Sequence, residues 1–175
     1  MTKTTIGTEI RRAGAADAAT VARLGADTFA AAFGHMYPQE DLAAFLAEAH
    51  DEDKVAAEIA DPDLGVWLAE RGGRAVGYAV AGPCGLPHPE AAPDAGELKR
   101  IYVEPGLQGE GVGQALFETA LAWLEQDGPR RLWLSVWSGN HGAQRFYERQ
   151  GFAKVGEYQF RVGATLDEEF ILSRG

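Results

Sequence analysis

The sequence predicts an α/β domain of the α+β kind: a mixed, mostly antiparallel central sheet of about seven strands, flanked by helices. Three observations lead there. Apolar residues alternate with a period of two on either side of Arg71-Gly72-Gly73, which marks an antiparallel hairpin with glycine where φ > 0 is needed. A strand, a glycine loop, a helix and a second strand succeed one another through residues 97–137, an order that makes the two strands parallel neighbours. Apolar stripes at helical spacing recur along the chain, so several helices need a sheet face to pack on.

A chain of 175 residues, 46% hydrophobic and 24% charged, suits one globular domain with a substantial core. Residues 8–173 are read as that domain and 1–7 as a flexible N-terminus. No run of 18 apolar residues occurs, and no basic start is followed by an apolar stretch, so neither a membrane span nor a secretory signal is expected. Cys84 is the only cysteine, which excludes an intrachain disulfide and makes the cytoplasm the default compartment. The net charge of −10, with the basic residues scattered, disfavours nucleic-acid binding, which draws on phosphate neutralisation by a basic face.

In chain order, residues 8–12 form a short strand, and 15–32 a helix with Val21, Leu24, Phe29 and Phe33 on one stripe and Asp17 in its first turn. His35-Met36-Tyr37-Pro38 is a turn. Residues 39–50 make a second helix with Leu42, Phe45 and Leu46 as its apolar face, and 51–60 a third. Nine acidic residues against Lys54 between 39 and 63 read either as a solvated helical face or as an acidic rim for a cationic substrate. Strands over 65–70 and 74–81 place Val66, Leu68, Val76, Tyr78 and Val80 in alternation, and the four prolines of 83–95 require a loop. Within 98–103, Leu98 and Ile101 share a face only if a bulge interrupts the strand near Arg100. A helix over 111–126 carries Val112, Leu116, Ala120 and Trp123 on one stripe and stops at Asp127-Gly128-Pro129. Strand 131–137, helix 141–150 and strands 153–160 and 167–173 complete the chain.

Residues 105–114 hold the chemistry. The first N–H groups of a helix lack intrahelical partners and lie at the positive end of its dipole, and a glycine loop there lets phosphate oxygens approach them. No Gly-Lys-Ser/Thr follows, so this is not a Walker loop, and the spacing of Gly109, Gly111 and Gly113 fits the dinucleotide fingerprint badly. What fits is Gln-x-x-Gly-x-Gly, met by Gln108, Gly111 and Gly113 after Glu-Leu-Lys-Arg-Ile-Tyr-Val at 97–103.

With Asn140, Phe146, Tyr147, Gly151 and Phe152 downstream, this pattern resembles the GCN5-related N-acetyltransferases (GNAT). The resemblance implies that family's fold, in which the parallel strands splay apart, and acetyl-CoA as co-substrate with no metal. It implies that the backbone of Gln108, Gly109, Glu110, Gly111, Val112, Gly113 and Gln114 holds the pyrophosphate. Ile101, Tyr102 and Val103 would face the pantetheine arm and thioester carbonyl, and Asn140 would hydrogen-bond the cofactor. Tyr147 would protonate the leaving thiolate, for which a phenol with an ordinary pKa near 10 is suited. Read on their own, Asn140 is also a preferred helix N-cap and Tyr147 an ordinary core aromatic.

The base is open. Glu97 stands where several family members place a carboxylate, with Glu104, His35 and Tyr37 as competitors and a solvated surface role for Glu97 equally in view. The four histidines show no metal-ligand spacing, and no nucleophile elbow occurs, so direct transfer without a covalent enzyme intermediate is expected. Within the superfamily the sequence looks most like the bacterial spermine/spermidine acetyltransferase branch. That branch implies a small cationic amine acceptor bound near His35 and Tyr37, and paired family members point to a homodimer. A non-catalytic acyl-CoA sensor, or an acetyltransferase of protein N-termini, amino acids or antibiotics, are the competing readings. A dinucleotide-dependent oxidoreductase is a distant third class.

Overall fold

The computed structural model describes residues 3–5 and 7–175. The expectation of a flexible N-terminus falls partly on residues 1, 2 and 6, which lie outside the described residues. Residues 3–5 form strand β1 (Lys3–Thr5), antiparallel to β2 (Thr8–Arg12), so the sheet has one strand more than the seven expected. The others are β3 (Gly65–Arg71), β4 (Arg74–Pro83), β5 (Gly96–Val103), β6 (Leu132–Trp137), β7 (Ala153–Val162) and β8 (Thr165–Arg174). Their order is β1-β2-β3-β4-β5-β6-β8-β7, antiparallel except where β5 meets β6. The last hairpin thus places β8 between β6 and β7, with β7 at the edge.

The β5–β6 junction shapes the molecule. These strands pair only at Gly96↔Leu132 and Glu97↔Trp133 and then diverge, leaving the β6-facing edge of residues 98–103 without a ladder partner. The predicted bulge is present one residue earlier than Arg100: Val80 pairs with Arg100 and Ala81 with Leu98, so Lys99 is the extra residue. As a result Leu98, Ile101 and Val103 pack on one face of the sheet, and Tyr102 on the other.

Each face has its own core. On one, α4 (Val112–Leu124) buries Val112, Leu116 and Ala120 against β2 to β6, with α5 (His141–Arg149) beside it. Burying a Leu- or Val-sized side chain contributes about 1.5–3 kcal/mol, so this stripe anchors the start of α4 against the sheet. Trp123, the last member of the stripe, is only partly buried and meets Trp67 edge-on at 5.5 Å. On the opposite face, α1 (Ala18–Phe33) and α3 (Glu52–Ala60) cover Val66, Leu68, Tyr78 and Val80. Val76 departs from the expected alternation. A bulge opposite Ala69/Glu70 turns it to the α4 face, while Tyr78 and Val80 remain under α1. Helix α2 (Gln39–Ala49) buries no residue fully. Its Phe45 contacts Phe29 of α1 at 4.7 Å and Phe160 of β7 at 5.6 Å, linking α1 to the edge strand.

Candidate active site

Pro105 and Gly106 end β5, and the chain reverses through Gly106, Gly109 and Gly111 at φ of 90°, 81° and 83°. Side chains with a Cβ rarely adopt this left-handed region, so glycine is required at these turns. The loop is braced from within. The Glu104 N–H donates to Val76 O at 2.9 Å, Gln108 Oε1 accepts the Gly106 N–H at 3.0 Å, and the Glu110 N–H donates to Leu107 O at 3.3 Å. The Glu110 carboxylate pairs with Arg71 of the β3–β4 hairpin. Gln108 and Glu110 therefore hold the loop itself, and the Glu110 N–H is already engaged.

Ala115 is the first α4 residue whose N–H finds a helical acceptor, Gly111 O at 3.0 Å. The N–H groups of Gln108, Gly109, Gly111, Val112, Gly113 and Gln114 have no protein acceptor among the described residues. These donors at the start of a 13-residue helix can cradle an anion, while the Val112 side chain is wholly buried and leaves only its backbone available. The Gln114 amide bonds Glu118 at 2.8 Å and accepts from Gln150 at 3.3 Å, tying α4 to the end of α5.

Asn140 caps α5, its Oδ1 accepting the Ala143 N–H at 3.1 Å, so the structural reading of this residue is correct as far as that oxygen goes. Its amide nitrogen has no protein partner among the described residues. Two turns on, Tyr147 packs among Phe117, Phe146 and Phe152 at centroid distances of 6.0, 5.5 and 6.3 Å. Burial, with Tyr102 nearby, pushes its pKa above the ordinary phenol value, so it is protonated at neutral pH. Its hydroxyl makes no hydrogen bond among the described residues. It can therefore serve as a proton donor.

Across the sheet lies a second set of side chains. His35 is exposed on a short 3-10 turn, Gly34–Met36, and Tyr37 stacks on Phe29 at 6.1 Å. The Tyr37 hydroxyl donates to Asp167 of β8, and burial together with that carboxylate raises its pKa. Glu97 is buried at 7% exposure, at the closed end of the splay where β5 still meets β6. It is not a solvated surface group. Its Oε1 accepts from the Gly85 N–H at 2.9 Å and from Lys99 Nζ at 3.1 Å.

Asp167 and Glu169 were not singled out from the sequence. Glu169 pairs in register with Trp137 of β6 and Tyr158 of β7. Burial first, and then the charge of Asp167, lift its carboxyl to about 7. Its charge reaches Tyr37, Tyr102 and Tyr158, raising the pKa of each. The available signal was the period of two, because Asp167 and Glu169 share a strand face with the buried Ile171. Several acids of 39–63 serve the fold instead. Asp41 accepts from the Ala164 N–H and the Thr165 hydroxyl, Asp51 caps α3, and Glu58 pairs with Arg100.

A sheet opened between two parallel strands, with free helix N–H groups and a buried phenol on one side and carboxylates on the other, is a frame for acyl transfer. The model of the acetyltransferase (GNAT) family matches residues 27–152. An uncharacterised N-acetyltransferase of Lactobacillus delbrueckii subsp. lactis is 32% identical over 148 residues, 85% of this chain and 86% of that protein. One of Mycobacterium tuberculosis is 32% identical over 159 residues, 90% of this chain and 97% of its own. In fold, the chain is similar to the PaiA N-acetyltransferase of Thermoplasma acidophilum solved with coenzyme A, with TM-score 0.76 and 18% identity over 97% of this chain and 99% of that one. The chain belongs to the acetyltransferase (GNAT) family and is an N-acetyltransferase. No helix among the described residues is long and apolar enough to cross a membrane.

Proposed function

We propose that this enzyme moves an acetyl group from acetyl-CoA directly to a primary amine of a small cationic acceptor, with polyamines the favoured class. The observation that carries the reading is the pair of unlike walls around the splay. Unpartnered backbone donors and Tyr147 suit an anionic thioester donor, and Asp167 and Glu169 among Tyr37, Tyr102, Tyr158 and Trp137 suit a cation.

The cradle of Gly109, Gly111, Val112, Gly113 and Gln114 takes the pyrophosphate. The unpaired edge at Ile101, Tyr102 and Val103 takes the pantetheine amides and thioester carbonyl, the Asn140 amide donates to the same arm, and Tyr147 protonates the leaving sulfur. Glu97 is the carboxylate that family resemblance offers for the ammonium proton, although Lys99 and the Gly85 N–H already hold it. His35 and Tyr37 stand at the mouth of the acceptor side.

Thiol release from acetyl-CoA at about pH 8, across spermidine, spermine, amino acids, aminoglycosides and short peptides, tests the reading. Saturable release with a polyamine is the expected result. Release only with a peptide, amino acid or antibiotic moves the acceptor class, and tight acetyl-CoA binding with no release by any amine makes the protein a sensor.

A further inference from the structure

We infer that Glu169 is the carboxylate that takes the proton from the acceptor's ammonium, on the opposite side of the sheet from the phenol that protonates the departing thiol. The inference rests on the acetyltransfer reading above and names the base within it.

Its first support is topology. Ser135 and Trp137 of β6 alternate with Leu134 and Val136, which pack with α4, so Trp137 lies on the α1 face. Glu169 pairs with Trp137 and therefore points to that face too, just where β6 has parted from β5. Tyr102 lies on the same face from the other lip of the splay, packed against the cluster under α1. It is also the residue whose proximity adds to the raised pKa of Tyr147. Glu169 and Tyr147 thus flank one opening, with Tyr102 near both.

The second support is availability. The Glu169 carboxylate has no hydrogen-bond or ion-pair partner among the described residues, although it is half-buried. A carboxylate so placed is costly unless something cationic comes to it. Its neighbours do not satisfy it. The Tyr37 hydroxyl is spent on Asp167 and that of Tyr158 on Ser135 at 3.2 Å, while Trp137 and Tyr102 contribute rings. By contrast Glu97 has its cation and its N–H donor, and it lies where the strands still touch.

Titration agrees with the placement. The ionisable groups facing Glu169 are Asp167 on its own strand, Tyr158 on β7, Tyr37 after α1 and Tyr102 on β5. None is a cation. A carboxyl poised near 7 accepts a proton readily and can release it to solvent.

Glu169 removes one proton from the ammonium, and the freed lone pair forms the C–N bond at the acetyl carbonyl carbon. The C–S bond breaks with its electron pair on sulfur, Tyr147 gives sulfur a proton, and Tyr147 regains one as the new amide nitrogen sheds its second. The products are the acetamide, the thiol and one proton passed from Glu169 to water.

The experiment compares the wild-type chain with Glu169→Gln, Glu169→Asp and Glu97→Gln, using whichever amine of the panel turns over, between pH 5.5 and 9. The wild type should gain kcat/KM through about pH 7. Glu169→Gln should lower kcat/KM at pH 7.5 by about 100-fold and remove that limb, with acetyl-CoA affinity within about 2-fold of wild type. Glu169→Asp should keep a limb at reduced rate, and it serves as the test if the glutamine variant does not fold. If the limb survives in Glu169→Gln, or is lost in Glu97→Gln alone, the assignment is overturned while acetyltransfer stands. Absence of turnover by the wild type with every amine overturns both.

Discussion

The two sides of the splay are built in opposite ways. The donor side uses backbone: N–H groups at the start of α4, an unladdered strand edge, and one phenol set in a cluster of phenylalanines. Its contributing residues lie within 97–152, and its surroundings are apolar. The acceptor side uses side chains from α1, α2, β5, β7 and β8, and its aromatic walls enclose ionisable groups such as Asp167, Glu169, Tyr37 and His50. The contrast matches the two partners proposed. The donor keeps the same phosphates and pantetheine whatever the acceptor, and backbone geometry suffices to read it. Choosing among amines needs side chains, which can differ while the fold stays.

Three measurements test whether the two sides differ in this way. The largest effect is expected from Gly111→Val. The residue sits at φ 83° and opens α4, so a β-branched side chain forces the cradle out of shape. Losing two hydrogen bonds to a charged phosphate lowers acetyl-CoA affinity by about 100-fold or more, read by calorimetry, with the protein still folded in its circular dichroism spectrum. Retained affinity would place the phosphates elsewhere.

Next is Tyr147→Phe, which keeps the ring among Phe117, Phe146 and Phe152 and removes only the hydroxyl. A drop of about 100-fold in kcat with acetyl-CoA affinity unchanged is expected, since the proton donor alone is lost. An unchanged rate would remove Tyr147 as the acid.

The smallest effect separates the two faces by pH. His50 lies between α2 and α3 beside Tyr78 and Arg100, and burial, then the charges of Arg100 and Lys54, lower its pKa to about 4. The unfolded chain takes up this proton near pH 6.5 and the folded chain does not. Stability is therefore full above about 6.5, falls as pH drops towards 4, and loses nothing more from this group below that. For a half-exposed ring the loss is about 1–2 kcal/mol, visible as a shift of the urea midpoint between pH 7 and 4.5. His50→Gln should flatten that segment, and an equal slope in both proteins would show that other groups cause it.

Much of the donor side was legible residue by residue. The bulge followed from Leu98 and Ile101 needing one face, and the cradle from glycines at a strand–helix junction. What escaped was whatever depends on register between distant strands. Val76 lies on the α4 face because a bulge shifts the register between β3 and β4. Tyr37 met Asp167 across 130 positions of sequence.

The helices, seven of the eight strands, the glycine loop between β5 and α4 and the family motifs are all encoded locally in the chain. These rest on local sterics and on hydrogen bonds between near neighbours, which a short stretch of residues encodes. Which carboxylates face the opening depends on strand order and register. β8 lies between β6 and β7, which places Glu169 opposite Trp137. Side-chain convergence of this kind depends on strand order and register, and no local pattern in the chain contains either.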